Sequence, residues 1–320
     1  MKHVIGLAAT DLSATQQAEL GRLAESLGAE FRRLPEGYVA DLYDDVTGLI
    51  GFVSAEELER MRSLQWMQID WAGVDKIVGA PCFQSGKVTL CNASGAFGVM
   101  IAEHLLGGVL TLYKRFDGYR AAQAHGEWIP SLGADSLHGK RVTVVGLGDI
   151  GSTFARYCAA LGAHVTGVAQ REREKPEYLE RFLTAENLRE AVRGAQVLVL
   201  CLPNTAKTKH LIGDAELSLL ARGALVLNAG RGATLDQAAL ESMLAEGTLG
   251  GAVLDVFEQE PLPNDSPLWR MPNVLLTPHV SGHSADEANR ARIGEIVTEN
   301  LRRYLSGEPL LHVVDPKRGY

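Results

Sequence analysis

Residues 140–171 read KRVTVVGLGDIGSTFARYCAALGAHVTGVAQR, and this stretch decides the fold. An apolar run from Val142 to Val145 leads into Gly146-Leu147-Gly148-Asp149-Ile150-Gly151. Ile150, Phe154, Cys158 and Leu161 then recur at helical spacing, and a second apolar segment, Val165 to Ala169, follows. Strand, glycine turn, amphipathic helix, strand is the order of a dinucleotide-binding βαβ unit. Gly146 permits the tight turn, Gly148 lets the backbone approach a pyrophosphate with no Cβ in the way, and Gly151 lets the helix lie close on its strand. The amides that open the helix, at Asp149 and Ile150, have no intrahelical partner and face the anion.

An acid about twenty residues further on usually accepts from a ribose 2′-hydroxyl in this motif. Here that strand end reads Val168-Ala169-Gln170-Arg171, with no carboxylate. Gln170 and Arg171 are the candidate ribose-side residues, and Arg171 can make a two-pronged, charge-assisted bond with a 2′-phosphate. NADP(H) is therefore favoured over NAD(H).

Working outward, 320 residues with 46% apolar content suit one large or two medium globular domains. A net charge of −8 gives no basic surface for nucleic acid or an anionic membrane. The first nine residues lack a secretory signal, and the longest apolar helix candidate is broken by Glu103 and His104. A cytoplasmic protein is the expectation. Cys82, Cys91, Cys158 and Cys201 form no CxxC pair or metal-ligand spacing, so they read as reduced core residues and no metal site is expected.

Towards the N-terminus, His3 to Ala9, Thr47 to Val53 and Trp66 to Asp70 read as strands. Ser13 with Gln16 and Ser54 with Glu57 are capping boxes that open helices. These pieces form a second α/β unit without a phosphate-binding turn, a candidate substrate domain. Ala96 to Tyr113 is helical and apolar nearly all round, which predicts burial at a domain or subunit junction. His104 within it reads as a core histidine satisfied by hydrogen bonds. Tyr119 to Gly139 reads as a connecting excursion.

Beyond the glycine motif, Gln196 to Leu202, Ala224 to Asn228, Gly250 to Val256 and Val274 to Leu276 read as further strands with helices between them. That alternation predicts a doubly wound parallel sheet. Ser284 with Glu287 is a third capping box ahead of a terminal helix, and Leu310 to Val314 reads as strand-like. A helix and strand after a complete nucleotide domain predict a return to the first domain. The expected organisation is a substrate domain of residues 1–95 plus 286–320 and an NAD(P)-binding domain of residues 96–285.

Three strand ends bring polar residues to the carboxyl edge of the sheet, where open α/β folds place their ligands. Arg231 lies between glycines in Asn228-Ala229-Gly230-Arg231-Gly232, acids follow in Asp255 to Pro263, and His279 follows Thr277-Pro278. Hydride exchange between a 2-hydroxy acid and a nicotinamide needs such groups. An arginine holds the carboxylate, an imidazole passes the hydroxyl proton near neutral pH, and a carboxylate orients the imidazole.

With these motifs in order, the sequence resembles the D-isomer-specific 2-hydroxyacid dehydrogenases, which include glyoxylate/hydroxypyruvate reductases and phosphoglycerate dehydrogenases. The likeness runs over nearly the whole chain, through Gly146 to Gly151, Cys201-Leu202-Pro203-Asn204-Thr205, Asn228 to Gly232, Leu254 to Pro263 and Thr277 to Gly282. It implies two Rossmann-like domains, a doubly wound cofactor domain and a smaller flavodoxin-like substrate domain. By it, Arg231 binds substrate, Glu260 is the acid of the dyad, and His279 is the proton donor or acceptor. Asp255 and Glu258 are nearby rivals for the dyad, but the family's acid precedes Pro261. Asp255 resembles the residue near the nicotinamide carboxamide, while Leu202, Pro203, Thr208, Ala229, Gly230 and Ser281 would line the cofactor. The backbone of Ala72 and Gly73, in Trp71-Ala72-Gly73-Val74-Asp75, would receive the substrate carboxylate. The family is similar in being dimeric, which assigns the dimerisation segment to about residues 96–139. Formate and phosphite dehydrogenases share this fold family, as do dinucleotide-sensing corepressors. A panel of oxo acids, formate and phosphite separates these readings.

Overall fold

The computed structural model describes residues 2–282 and 287–320. The chain divides into two units, Met1–Phe97 with His283–Tyr320, and Gly98–Gly282. Both are α/β.

The first unit has five parallel strands: β1 (Val4–Leu7), β2 (Glu30–Arg33), β3 (Gly48–Ile50), β4 (Trp66–Gln68) and β5 (Thr89–Cys91). Their order, β2-β1-β3-β4-β5, is the flavodoxin-like one. Both capping boxes read from this half are present, with Ser13 accepting from the Gln16 amide and Ser54 from the Glu57 amide. The helix Glu287–Ser306 packs back onto this unit. Asn300 Nδ2 donates to Gln68 Oε1 at 2.7 Å, Tyr304 OH donates to Thr47 O at 2.9 Å, and the Tyr304 ring stacks on Trp66. The core gathers Leu49, Leu58, Met67, Ile69, Phe83 and Leu90.

The second unit holds seven parallel strands: β6 (Arg141–Val145), β7 (His164–Ala169), β8 (Arg181–Thr184), β9 (Val197–Leu200), β10 (Leu225–Asn228), β11 (Gly251–Leu254) and β12 (Val274–Leu276). The order β12-β11-β10-β9-β6-β7-β8 is doubly wound, with the chain reversing direction across the sheet between β6 and β9. Ligands bind at the carboxyl ends of the strands at such a switch point. Phe154, Val168, Leu198, Val226 and Leu254 are among its fully or nearly fully buried residues.

Some local expectations need correction. Leu310 to Val314 is not a strand; only Val313 forms an isolated antiparallel bridge, to Cys91. The excursion read over Tyr119 to Gly139 begins inside a helix, Phe116–Ala124. Strands β2, β5 and β8 went unread, and all three lie at sheet edges. β2 and β8 carry the polar residues Arg32, Arg33 and Arg181 of a partly wet edge, and β5 is only three residues long, so none shows the apolar run of a central parallel strand. The helix Gly98–Lys114, expected at a domain or subunit junction, packs one face on the helix Asp149–Ala160 and β11 of its own unit. The third capping box, Ser284 with Glu287, lies outside the described residues.

Among the described residues no helix is long and apolar enough to cross a membrane, and no group of three His, Cys, Asp or Glu could hold a metal ion. All four cysteines are free thiols.

Candidate active site

The glycine turn has the geometry its sequence requires. Gly146 has φ 97°, and a Cβ there would stand 2.4 Å from Cys201 O. A Cβ on Gly151 would stand 1.9 Å from Gly146 O, so only glycine lets the helix begin here. Gly148 differs, because a Cβ on it would meet no protein atom within 4 Å. Gly148 is also the N-cap of the helix Asp149–Ala160 and offers it no side-chain cap. Open space in front of uncapped helix amides fits a pyrophosphate.

The neighbouring strand ends close the floor of this site. A Cβ on Gly230 would stand 2.6 Å from Leu202 N, so the backbones after β9 and β10 nearly touch. Thr208 Oγ1 donates to Pro203 O at 2.6 Å and accepts from Thr205 N at 2.8 Å, folding the segment after β9 into a compact loop. Ala229 is buried at the end of β10. Gln170 and Arg171 are both exposed just past β7, beside the turn. Sequence reading passed over Arg173, whose Nη2 donates to Leu147 O at 3.2 Å within the glycine turn and whose guanidinium lies over the Phe182 ring. Its signal was hidden in an alternating charge run.

Arg231, Glu260 and His279 follow three adjacent strands, β10, β11 and β12, all pointing the same way. Parallel neighbours lie about 4.8 Å apart, which puts the ends of β10 and β12 within about 10 Å of one another. Asn228 shapes the arginine's backbone: its Nδ2 donates to Arg231 O at 3.0 Å and its Oδ1 accepts from Gly230 N at 3.1 Å. Asn228 stood in the quoted motif without a role. Arg231 itself is part-buried, with Nη1 donating to Gly230 O at 2.8 Å.

Glu260 Oε2 lies 2.8 Å from His279 Nδ1, and Glu260 Oε1 accepts from Phe257 N at 3.0 Å. With one oxygen on the backbone and the other on the imidazole, the carboxylate fixes the ring's direction. Nδ1 is committed as the donor to Glu260, which leaves Nε2 as the nitrogen for chemistry. The side chain of His279 is 48% exposed, so a substrate can reach it. Glu258, a rival for this role, instead sits 3.0 Å from His210 Nε2 and accepts from Gln237 N.

Asp255 is 1% exposed. Its Oδ1 accepts from Thr277 Oγ1 at 2.6 Å and Val280 N at 3.0 Å, and its Oδ2 accepts from Ser281 N at 3.1 Å and from the Ser281 hydroxyl. Burial pushes the carboxyl up, but the Ser281 and Thr277 hydroxyls and the Val280 and Ser281 amides outweigh it and leave the group below its ordinary value. Four donors fill the four acceptor positions of a carboxylate. Asp255 and Ser281, both expected to contact cofactor, are thus bonded to each other. Thr277, unassigned from the sequence, joins them.

In the first unit, Asn92 Nδ2 donates to Ala72 O at 2.7 Å and Ala93 N donates to Trp71 O at 3.0 Å, holding the loop that contains Gly73. A hollow of about 470 Å³ opens at the carboxyl ends of β1, β2 and β3, walled by Thr10, Arg33, Phe52 and others; Ala72 and Gly73 do not line it.

Comparison with known proteins agrees with this fold. The profile of the D-isomer specific 2-hydroxyacid dehydrogenase NAD binding domain matches residues 106–281. Glyoxylate/hydroxypyruvate reductase B of Enterobacter sp. (strain 638) is 33% identical over 285 residues, 87% of each chain. A crystal structure of a D-isomer specific 2-hydroxyacid dehydrogenase from Xanthobacter autotrophicus Py2, in complex with NADPH and MES, superimposes with a TM-score of 0.84 at 32% identity, covering 100% of this chain and 99% of that one. The NADPH-dependent glyoxylate/hydroxypyruvate reductase of Sinorhizobium meliloti, in complex with NADP and sulfate, gives 0.82 at 28% identity and 100% coverage of both chains. A doubly wound sheet whose glycine turn leaves room for a dinucleotide, and whose sequence aligns with these enzymes across both units, identifies the chain as a member of the D-isomer specific 2-hydroxyacid dehydrogenase family and an NAD(P)-dependent oxidoreductase.

Proposed function

We propose that this enzyme reduces a small 2-oxo acid to the D-2-hydroxy acid with NADPH, and that Arg231, Glu260 and His279 carry the reaction. The observation that supports this most is the 2.8 Å contact between Glu260 and His279, next along the sheet edge to the strand end that bears Arg231. The Arg231 guanidinium is a planar fork matched to a carboxylate, and it draws charge towards itself as the neighbouring carbonyl is reduced. When bound, the coenzyme supplies a hydride to the carbonyl carbon. His279 hands the proton on Nε2 to the carbonyl oxygen, and Glu260 keeps the imidazole aimed and favours its charged form.

The missing carboxylate after β7, exposed Arg171 and Arg173 beside the turn support NADPH over NADH. The coenzymes bound in the two neighbouring structures point the same way. A homodimer is supported by Trp128, 95% exposed, and by exposed Phe116, within the segment 96–139. Four free thiols support a reducing, cytoplasmic setting.

The test is loss of absorbance of NADPH and of NADH against glyoxylate, hydroxypyruvate, pyruvate and bulkier oxo acids, with formate and phosphite run as donors to NADP⁺. Turnover of an oxo acid that survives His279→Asn, or turnover of formate or phosphite alone, overturns the reading.

A further inference from the structure

His104 belongs to the helix Gly98–Lys114, well away in sequence from the strand ends, yet its Nε2 lies 3.1 Å from Thr277 Oγ1. Thr277 Oγ1 in turn donates to Asp255 Oδ1 at 2.6 Å. A carboxylate held below its ordinary value carries no hydrogen, so the Thr277 hydroxyl spends its single hydrogen on Asp255. Thr277 can then only accept from His104, which places a hydrogen on Nε2. The contact is a directed bond from the helix to the loop.

Helix spacing accounts for the reach. Gly108 lies four residues after His104 on the same face, and a Cβ there would stand 2.6 Å from Val253 Cγ1 of β11. Glycine at 108 lets this face settle on β11, bringing the preceding turn over the end of the sheet.

Asp255 is the post around which the segment 277–281 is wound. Its carboxylate takes the Thr277 and Ser281 hydroxyls and the Val280 and Ser281 amides, and its carbonyl accepts from His279 N at 2.8 Å. His279 sits at the apex with φ 55°, a left-handed conformation that a side chain adopts only where its surroundings hold it. The direction of its imidazole therefore depends on the fixity of this turn.

We propose that His104 is a positioning residue for the reaction, acting through Thr277 and Asp255 to hold the left-handed turn that aims His279. The proposal rests on the reading of His279 as proton donor and adds to it a control from a different element. In turnover, the His104–Thr277 arm keeps Nε2 of His279 within proton-transfer range, where a displacement of a fraction of an ångström is costly.

The experiment uses the full-length enzyme with NADPH and glyoxylate, in the variants His104→Leu, His104→Gln, Thr277→Val, Thr277→Ser and, as reference, His279→Asn. Gln carries a donor near the place of Nε2, and Ser keeps the hydroxyl. Expected for His104→Leu and Thr277→Val are a fall in kcat of about tenfold, in line with loss of one part-buried hydrogen bond, and a KM for NADPH that moves less than about twofold. The primary deuterium isotope effect on kcat rises, and the Gln and Ser variants recover most of the rate. Hydrogen exchange of the Val280 and Ser281 amides, read by mass spectrometry on peptides spanning 277–282, accelerates about tenfold in the same two variants, independent of turnover. If His104→Leu is not folded, Thr277→Val and His104→Gln decide the matter. Wild-type kcat, isotope effect and exchange in Thr277→Val, alongside an inactive His279→Asn, overturn the proposal while leaving His279 as the proton donor. Equal losses in His104→Gln and His104→Leu overturn it too, because the donor would then be irrelevant. An active His279→Asn instead defeats the underlying reading, and the exchange data still report whether His104 holds the turn.

Discussion

Replacing Gly148 by alanine separates the two duties a glycine can have in this turn. Gly148 has φ −75° and ψ −160°, an extended conformation open to any residue, and a Cβ there would meet no protein atom within 4 Å. Packing therefore gives no reason for Gly148→Ala to lose stability. Narrowing the unfolded ensemble favours alanine by about 0.4–1 kcal/mol, but alanine is a poorer N-cap than glycine by a similar amount, so stability should stay close to the parent's. The coenzyme meets the added methyl instead. If the pyrophosphate lies on the amides at Asp149 and Ile150, the methyl forces it away and weakens charge-assisted hydrogen bonds that contribute about 1.5–3 kcal/mol. At 1.4 kcal/mol per factor of ten, NADPH binding should weaken about ten- to a hundredfold. Gly151→Ala is the contrasting variant, since its Cβ would stand 1.9 Å from Gly146 O and the helix could start only by displacing backbone. It should lower the melting temperature sharply. Titration of NADPH by quenching of tryptophan fluorescence, alongside thermal melts of both variants, gives the two readouts. A Gly148→Ala protein that binds NADPH as tightly as the parent at unchanged stability would refute the placement of the pyrophosphate on this helix.

The coenzyme reading predicts that Arg171→Ala with Arg173→Ala raises KM for NADPH about tenfold, a value discounted for exposure, while KM for NADH stays put; equal shifts for both coenzymes argue against a 2′-phosphate clamp. Asp255→Asn should destabilise the protein at pH 7 by about 1.5–3 kcal/mol, because the buried carboxylate's four bonds favour the charged form. Because its folded value is depressed, that stabilisation is present above the ordinary carboxylate range near pH 4 and is lost as pH falls through the lowered value, so parent and variant melts should converge in acid; a constant gap down to pH 2 contradicts the assignment. Burial pushes the thiols of Cys91 and Cys158 up to about 12, so they stay protonated and iodoacetamide at pH 8 should label them only as the chain unfolds. Rapid native labelling of Cys158 detected by mass spectrometry speaks against that packing. The proposed homodimer predicts a parent of twice the chain mass in analytical ultracentrifugation and a species near 34.5 kDa for Trp128→Glu; a parent already at 34.5 kDa, or a variant of unchanged mass, contradicts a dimer through this residue.

The fold was legible because its signals are local. The glycines at 146 and 151 are each required by a contact within a few residues or with the adjoining strand, Gly148 belongs to the same short motif, and central parallel strands such as Val197–Leu200 and Leu225–Asn228 announce themselves as apolar runs. Two edge strands escaped for the opposite reason: Glu30–Arg33 and Arg181–Thr184 are strands because a neighbour offers them a ladder, not because their side chains ask for one. Arg231 and His279 could be named as candidates because each comes just after a strand end, and strand ends of a parallel sheet must share an edge; among the acids after β11, Glu260 was singled out by the family resemblance alone.

Sequence alone thus determined the architecture and the residue types offered at the sheet's carboxyl edge, since both follow from periodicity and from backbone sterics that act over short stretches of chain. Tertiary structure decided which acid faces which base. Asp255, Glu258 and Glu260 stand within six residues of one another, and only the path of the chain after β11 turns one to His279, one to His210, and one inward as the post of a turn. It also decided that His104, some 170 residues from Thr277, ends beside it. Hydrogen bonds reach about 3 Å, and no pattern along the chain encodes a meeting between two elements that only the packing of a helix on a sheet brings about.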